Sequence, residues 1–226
     1  MTGSYKMEMI YETDILVQAQ QGSMHPGGLR LTDRAVRLAA LGAGMRVADI
    51  GCGTGTTAAF LTEKYKLNMV GLDISDTLIT IGLKLWPGLN LIRWNCDALP
   101  FEDDTLDAVF FECTLSLLGD TRRLLPQCAT ALKKKGAVII SDVYARHKTG
   151  SAFPLTADHL NENLRASGFD IIVQEDHTAA LRTYIAELRE KNGNSIDACS
   201  FFGTSCDSNN VRLSNLGYML TIARKI

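Results

Sequence analysis

The stretch Val47-Ala48-Asp49-Ile50-Gly51-Cys52-Gly53-Thr54-Gly55 constrains this chain more than any other: a short apolar run passes straight into a glycine-rich turn and then into a helix from Thr56. Gly51, Gly53 and Gly55 take positive φ without steric cost and leave bare backbone against which another molecule can lie. The following helix turns its unbonded N–H groups toward the same place. Eighteen residues beyond Gly55, at the end of the apolar run Met69-Val70-Gly71-Leu72, stands Asp73, an acid placed to take a ribose diol. Two nucleotide-like ligands use this layout. A dinucleotide site wants G-x-G-x-x-G, its third glycine allowing close helix–strand packing beneath the pyrophosphate. Here that position is Thr56, and the run reads G-x-G-x-G. Asp49 is a second discriminator, because it sits within an apolar strand of the kind buried on both faces. A buried carboxylate needs a partner. The ammonium of an amino acid supplies one, whereas a pyrophosphate is repelled.

At these residues the sequence resembles the class I S-adenosylmethionine (SAM) dependent methyltransferases, whose first motif reads like Asp49-Ile50-Gly51-Cys52-Gly53-Thr54-Gly55. The resemblance implies SAM as cofactor, bound by Asp49, Gly51, Cys52, Gly53 and Asp73. The cluster Cys96-Asp97-Ala98-Leu99-Pro100-Phe101 resembles that family's adenine-contacting loop. By this resemblance Asp97 accepts from the exocyclic amine, while Ile74 and Ala98 sandwich the ring.

At 226 residues, with 46% hydrophobic and 21% charged residues, the chain suits one domain with a substantial core. A formal net charge of −2 argues against a broad nucleic-acid surface. The start, Met1 to Ile10, lacks the basic and apolar regions of a signal peptide, and no apolar run approaches membrane-spanning length, so a cytoplasmic protein with no membrane partner is expected. The six cysteines at 52, 96, 113, 128, 199 and 206 are expected as free thiols, and without a C-x-x-C pair no structural metal site is expected.

Read in order, residues 1–24 carry an irregular apolar stripe of Tyr5, Met9, Ile10 and Leu16. His25-Pro26-Gly27-Gly28 breaks what precedes, and Thr32 or Asp33 caps a helix through about Leu41 with Val36, Leu38 and Ala39 inward. After the glycine turn come a helix over Thr56–Lys66 with Ala59 and Phe60 inward, a strand over Asn68–Asp73, a helix over Asp76–Trp86 stopped by Pro87-Gly88, and a strand over Leu89–Asn95. Leu106–Phe111 reads as a buried parallel strand delivering Glu112-Cys113-Thr114 to its carboxyl end, where ligands of open α/β sheets sit. Asp120–Leu132 is a helix, and Lys133-Lys134-Lys135-Gly136 reads as its basic last turn and glycine cap. A strand over Ala137–Ser141 ends at Asp142-Val143-Tyr144. A loop with His147, a helix over Thr156–Ser167, a strand over Phe169–Val173, a helix over Leu181–Lys191, a polar linker over Asn192–Asn210 and a strand from Tyr218 complete the chain. This alternation predicts an α/β fold: a Rossmann-like, doubly wound, seven-stranded and mostly parallel sheet, its last strand antiparallel as the resemblance implies. Residues 1–226 are expected as a single domain, with 1–43 an N-terminal helical cap and 44–226 the core.

Methyl transfer from a sulfonium needs proximity, alignment and an unprotonated nucleophile, and little acid–base machinery. Glu112, Cys113 and His147 are the candidates for catalytic roles, Glu112 also joins the cofactor-binding set, and Asp142 and His25 are further groups at the rim. The [Asn/Asp]-Pro-Pro-[Tyr/Phe] motif of nucleic-acid amine methylation is replaced by Glu112-Cys113-Thr114-Leu115, so the expected partner is a small-molecule acceptor. Local similarity of Asp107-Ala108-Val109-Phe110-Phe111-Glu112-Cys113 and Ser141-Asp142-Val143-Tyr144-Ala145 to arsenite methyltransferases raises a metalloid acceptor as an alternative. A cysteine ahead of the glycine motif, which that family needs, is missing. A non-catalytic SAM-binding subunit is the other alternative. The acceptor atom and the oligomeric state have no signal in the sequence.

Overall fold

The computed structural model describes residues 25–118, 121–147, 155–192 and 215–226. Strands β1 (Arg46–Ile50), β2 (Asn68–Asp73), β3 (Asn90–Arg93), β4 (Leu106–Glu112), β5 (Leu132–Ala145), β6 (Phe169–Asp176) and β7 (Leu216–Lys225) form one sheet in the order β3-β2-β1-β4-β5-β7-β6. β1 to β5 run parallel, and β7 enters antiparallel between β5 and β6. The helices are α1 (Gly28–Leu38), α2 (Thr56–Tyr65), α3 (Asp76–Leu85), α4 (Leu115–Leu118), α5 (Thr121–Ala131), α6 (Ala157–Ala166) and α7 (Thr178–Asn192).

Successive side chains of a strand point to opposite faces, so apolar runs such as Ala108 to Phe111 must be covered on both. Val47, Phe110, Ile139 and Ile222 pack beneath Val36 of α1, Leu61 of α2 and Leu181 of α7. Ile50, Phe111 and Ile140 pack beneath Leu124 and Leu125 of α5 and Leu164 of α6. The chain leaves β1 toward β2 on one side and reaches β4 on the other. The crevice beyond the carboxyl ends of β1 and β4 is therefore the switch point at which such sheets bind ligands. Among the described residues no helix is long and apolar enough to cross a membrane.

The doubly wound sheet with its antiparallel last strand is as the sequence led us to expect; four local readings are corrected. First, α1 starts at Gly28, not at a Thr32 or Asp33 cap. Gly27 and Gly28 take the turn at φ 82° and 53°, the Gly28 N–H bonds the His25 carbonyl at 3.0 Å, and Thr32 is a buried interior residue of the helix. Second, Lys133-Lys134-Lys135-Gly136 is not a helix end but the start of β5. Lys133 Nζ donates to both oxygens of Asp107 at 2.8 and 2.9 Å. A Cβ on Gly136 would lie 2.8 Å from the Lys133 carbonyl oxygen, so the irregularity before the regular ladder calls for glycine. Third, Asp142 to Ala145 belong to β5, because β7 pairs with that strand as far as Ala145 with Leu216. Fourth, the buried face of α2 is Thr57, Ala58 and Leu61, with Ala59 and Phe60 only half-buried. Residues 1–24, Cys199 and Cys206 lie outside the described residues.

Candidate active site

The glycine turn closes on β2. The Gly51 and Cys52 N–H groups donate to the Leu72 carbonyl at 2.7 and 3.0 Å, and the Gly53 N–H donates to Asp73 Oδ2 at 2.8 Å. Gly51, Gly53 and Gly55 have φ of 78°, 55° and 78°. The need at Gly51 is also steric: a Cβ there would stand 2.2 Å from Cγ2 of Thr114, just past β4. Gly55 caps α2 without any side-chain hydrogen bond, and among the described residues the first helical N–H with a partner is that of Ala59, to the Gly55 carbonyl. The start of the helix therefore keeps N–H groups for a bound molecule.

Three carboxylates flank this turn from three strands. Asp49 of β1 is 2% exposed and accepts no hydrogen bond among the described residues. Burial, and then the nearby charges of Glu112 and Asp73, hold its pKa well above the ordinary carboxylate range. Asp73, at the end of β2, accepts from Gly53 through Oδ2 and from the Ser75 N–H through Oδ1 at 2.9 Å, and is itself buried.

Glu112, at the end of β4, is engaged on both oxygens. Thr32 Oγ1 of α1 donates to Oε1 at 2.8 Å, Thr57 Oγ1 of α2 donates to Oε2 at 2.7 Å, and His25 Nε2 lies 3.1 Å from Oε2. Burial works to raise the Glu112 pKa, yet His25, Thr57 and Thr32 outweigh it and the net shift is downward. Burial likewise works to lower His25, but Glu112 outweighs that and raises it. Sequence reasoning missed Thr57 and gave Thr32 only the role of a helix cap. Their signal was indirect: a carboxylate ending a buried strand must find donors, and hydroxyls on covering helices are the short-range supply.

Cys113 adopts φ 53°, its N–H bonds the Ser141 carbonyl at 2.8 Å, and its Sγ lies 3.4 Å from Tyr218 Oη. Tyr218 Oη donates to the Ser141 carbonyl at 3.0 Å, so the thiol is left to donate to the phenol. Burial, followed by the Asp142 charge, pushes the thiol pKa well up. Asp142 caps the next element: it accepts from the Ser116 N–H at 2.8 Å and Ser116 Oγ at 2.7 Å, and burial raises it to about 6. Ile74 is half-buried beside Asp73, whereas Asp97 and Ala98 are exposed. The Ala98 carbonyl holds Trp94 Nε1 at 3.1 Å, and Asp97 Oδ2 accepts from Asn95 at 2.6 Å. Cys52 is half-buried in the turn. His147 is exposed beyond β5; its backbone bonds Asn215, and its side chain contacts neither Glu112 nor Cys113.

The acid-flanked glycine turn thus lies in the β1–β4 crevice of a sheet whose last strand is antiparallel. Residues 47–136 match the family described as "Methyltransferase domain". The chain is similar to phosphoethanolamine N-methyltransferase 1 of Arabidopsis thaliana, 29% identical over 155 residues, 67% of this chain and 30% of the plant protein. It is also similar to ubiquinone/menaquinone biosynthesis C-methyltransferase UbiE of Campylobacter jejuni, 27% identical over 112 residues, 47% of this chain and 48% of that protein. Among solved structures, Haemonchus contortus phosphoethanolamine N-methyltransferase 2, in complex with phosphomonomethylethanolamine and S-adenosylhomocysteine, shares the fold with a TM-score of 0.77 at 20% identity. The match covers 99% of this chain and 60% of that chain. The chain thus spans from 30% to 48% of the length of these two curated relatives.

Proposed function

We propose that this chain transfers a methyl group from SAM to a small-molecule acceptor. The observation that carries the reading is Asp49, a buried carboxyl with no hydrogen-bond partner among the described residues, beside a glycine turn and two further acids. A cationic amino acid head group satisfies it; a pyrophosphate does not. When bound, SAM supplies an activated methyl on its sulfonium. The chain's own part is positioning. Gly51, Cys52 and Gly53 bring bare backbone to the amino acid part, Asp49 takes the ammonium and Asp73 the ribose diol. Ile74 and Ala98 flank the adenine, with Asp97 on its exocyclic amine. Glu112, closed off by three donors, organises this cradle rather than acting as the proton acceptor. Cys113 borders the acceptor side as a buried thiol, and the metalloid alternative lacks the cysteine ahead of the glycine motif that it needs.

Relatives named for phosphoethanolamine N-methylation and for quinone-pathway C-methylation support a small metabolite as acceptor and leave nitrogen and carbon nucleophiles to be tested. Residues 1–226 are read as one catalytic domain, with residues 1–43 covering the site. Cys52, Cys96, Cys113 and Cys128 are free thiols, which supports a reducing, cytoplasmic setting. The test is calorimetric titration with SAM, NAD and NADP, followed by label transfer from methyl-labelled SAM to pools of small amines, phosphobases and quinols. SAM binding with label in a small product is expected. Binding of NAD(P) without SAM overturns the reading, and SAM binding without transfer to any pool favours the non-catalytic alternative.

A further inference from the structure

We propose that His25 and Glu112 are positioning residues whose buried ion pair fixes the geometry of the SAM cradle, an inference that rests on the SAM-binding reading above. Burying both ends of an ion pair is a poor route to stability, because each charge loses its hydration and apolar replacements of similar volume often do as well. What such a pair supplies is a fixed arrangement, and here it is a specific one. His25 Nε2 lies 3.1 Å from Glu112 Oε2 while Nδ1 lies 3.2 Å from the Pro26 carbonyl oxygen. With an acceptor at each ring nitrogen both carry protons, and the ring is an imidazolium. The side chains are 5% and 7% exposed, so the pair is little screened by solvent.

Through Glu112 the pair reaches both walls of the cradle. Thr57, the second residue of α2, donates to Oε2, which fixes the start of the helix that presents free N–H groups. Two residues past Glu112, Thr114 is the side chain against which Gly51 is packed so closely that a Cβ would collide. One carboxylate thus ties the helix side of the glycine turn to the strand side, and Thr32 and His25 tie it to α1 and the residues leading into it. Facing the pair are Asp49 from β1 and Cys113 beyond β4, and Asp73 acts in turn on Asp49.

The charges make the two halves of the pair separable by experiment. Glu112 disfavours ionisation of Asp49, and His25 offsets Glu112. SAM affinity should weaken as pH falls through the Asp49 titration, because the ammonium then meets a neutral carboxyl. Glu112→Gln should move the midpoint of that loss to lower pH and His25→Gln should move it to higher pH. A purely structural role gives no opposed shifts. At pH 7, Thr57→Val should weaken SAM binding by about tenfold, the scale of one hydrogen bond to a charged group, and Thr57→Ser should restore it. Nitrogen NMR of the imidazole should show imidazolium at pH 7 in the wild type and the neutral ring in Glu112→Gln. Thermal melts identify any variant that fails to fold, and the near-isosteric Thr57 variants then carry the test. A neutral His25 in the wild type, or SAM affinities unmoved in the folded variants, overturns this proposal alone. A wild type that binds no SAM overturns it together with the proposed function.

Discussion

Asp49 and Asp73 are both buried acids beside the same turn, but their surroundings set opposite expectations. Asp49 has no hydrogen bond to favour its charged form, and its pKa is raised by burial and by Glu112 and Asp73. The folded, SAM-free protein then holds a proton that the unfolded chain releases near the ordinary carboxylate pKa. Between that pKa and the raised one, this group makes stability fall as pH rises. Asp49→Asn, which removes the ionisation and keeps the shape, should therefore raise the melting temperature of the SAM-free protein at pH 8 and weaken SAM binding at least tenfold, the loss of a charge-assisted bond. Calorimetry in buffers of different ionisation enthalpy should show proton release on SAM binding by the wild type and none by Asp49→Asn; equal proton release in both would reject Asp49 as the ammonium's partner. Asp73 is buried at the end of β2, where its two oxygens hold the N–H groups of Gly53 and Ser75. Asp73→Ala should consequently lower both the melting temperature and SAM affinity, by roughly 1–3 kcal/mol in stability for the stranded N–H groups. Loss of affinity with an unchanged melting temperature would mean that the turn does not need it.

At the scale of elements, the cradle is the junction of β1, the glycine turn and α2, and its tightest point is Gly51. There φ is 78° and a Cβ would lie 2.2, 2.4 and 2.8 Å from Cγ2, Oγ1 and Cβ of Thr114. Gly51→Ala should cost about 1–2 kcal/mol for the left-handed backbone alone, more for the collision, and should abolish detectable SAM binding. Pairing it with Thr114→Gly should recover part of the stability and little of the binding; full recovery of binding would show that bare backbone is not what SAM requires. This junction was legible in the sequence because its signals are local: glycines at fixed spacing, an acid in an apolar run, a second acid after the next strand. The sheet was legible for the same reason, through apolar runs separated by caps such as Thr156, which does accept from the His159 N–H. What escaped depends on distant partners. Lys133 to Gly136 carry a helix-ending pattern, yet they lie within β5, between the pairs that Leu132 and Ala137 make with Leu106 and Ala108 of β4. Thr32 has the chemistry of a cap, but Glu112, eighty residues away, claims its hydroxyl. No short-range pattern encodes either contact.

At the scale of the whole molecule, one sheet carries both hydrophobic cores, so the glycine turn and the far strands stand or fall together. Ile50 and Leu72 share one core with Phe169 of β6, while Val47 shares the other with Ile222 of β7. The chain should therefore unfold in one cooperative transition that every probe reports alike. A ligand held at the β1–β4 crevice by the folded state alone should then shift that whole transition. Stabilisation follows RT ln(1 + [L]/Kd), about 2.7 kcal/mol at a hundredfold excess over Kd. For a domain of this size each kcal/mol moves the melting temperature by roughly 2–4 °C, so saturating SAM or S-adenosylhomocysteine should raise it by about 5–11 °C. NAD should leave it in place, since Thr56 stands where a dinucleotide turn needs its third glycine and a buried carboxyl at Asp49 offers a pyrophosphate no donor. Because the chain spans only 30% of the plant relative it resembles, the measurement also asks whether this stretch is sufficient as a SAM-binding unit. Scanning calorimetry with each ligand in turn decides it. A single transition shifted by SAM and not by NAD is the expected result; two transitions of which SAM moves only one would show that the cradle folds apart from the rest of the sheet.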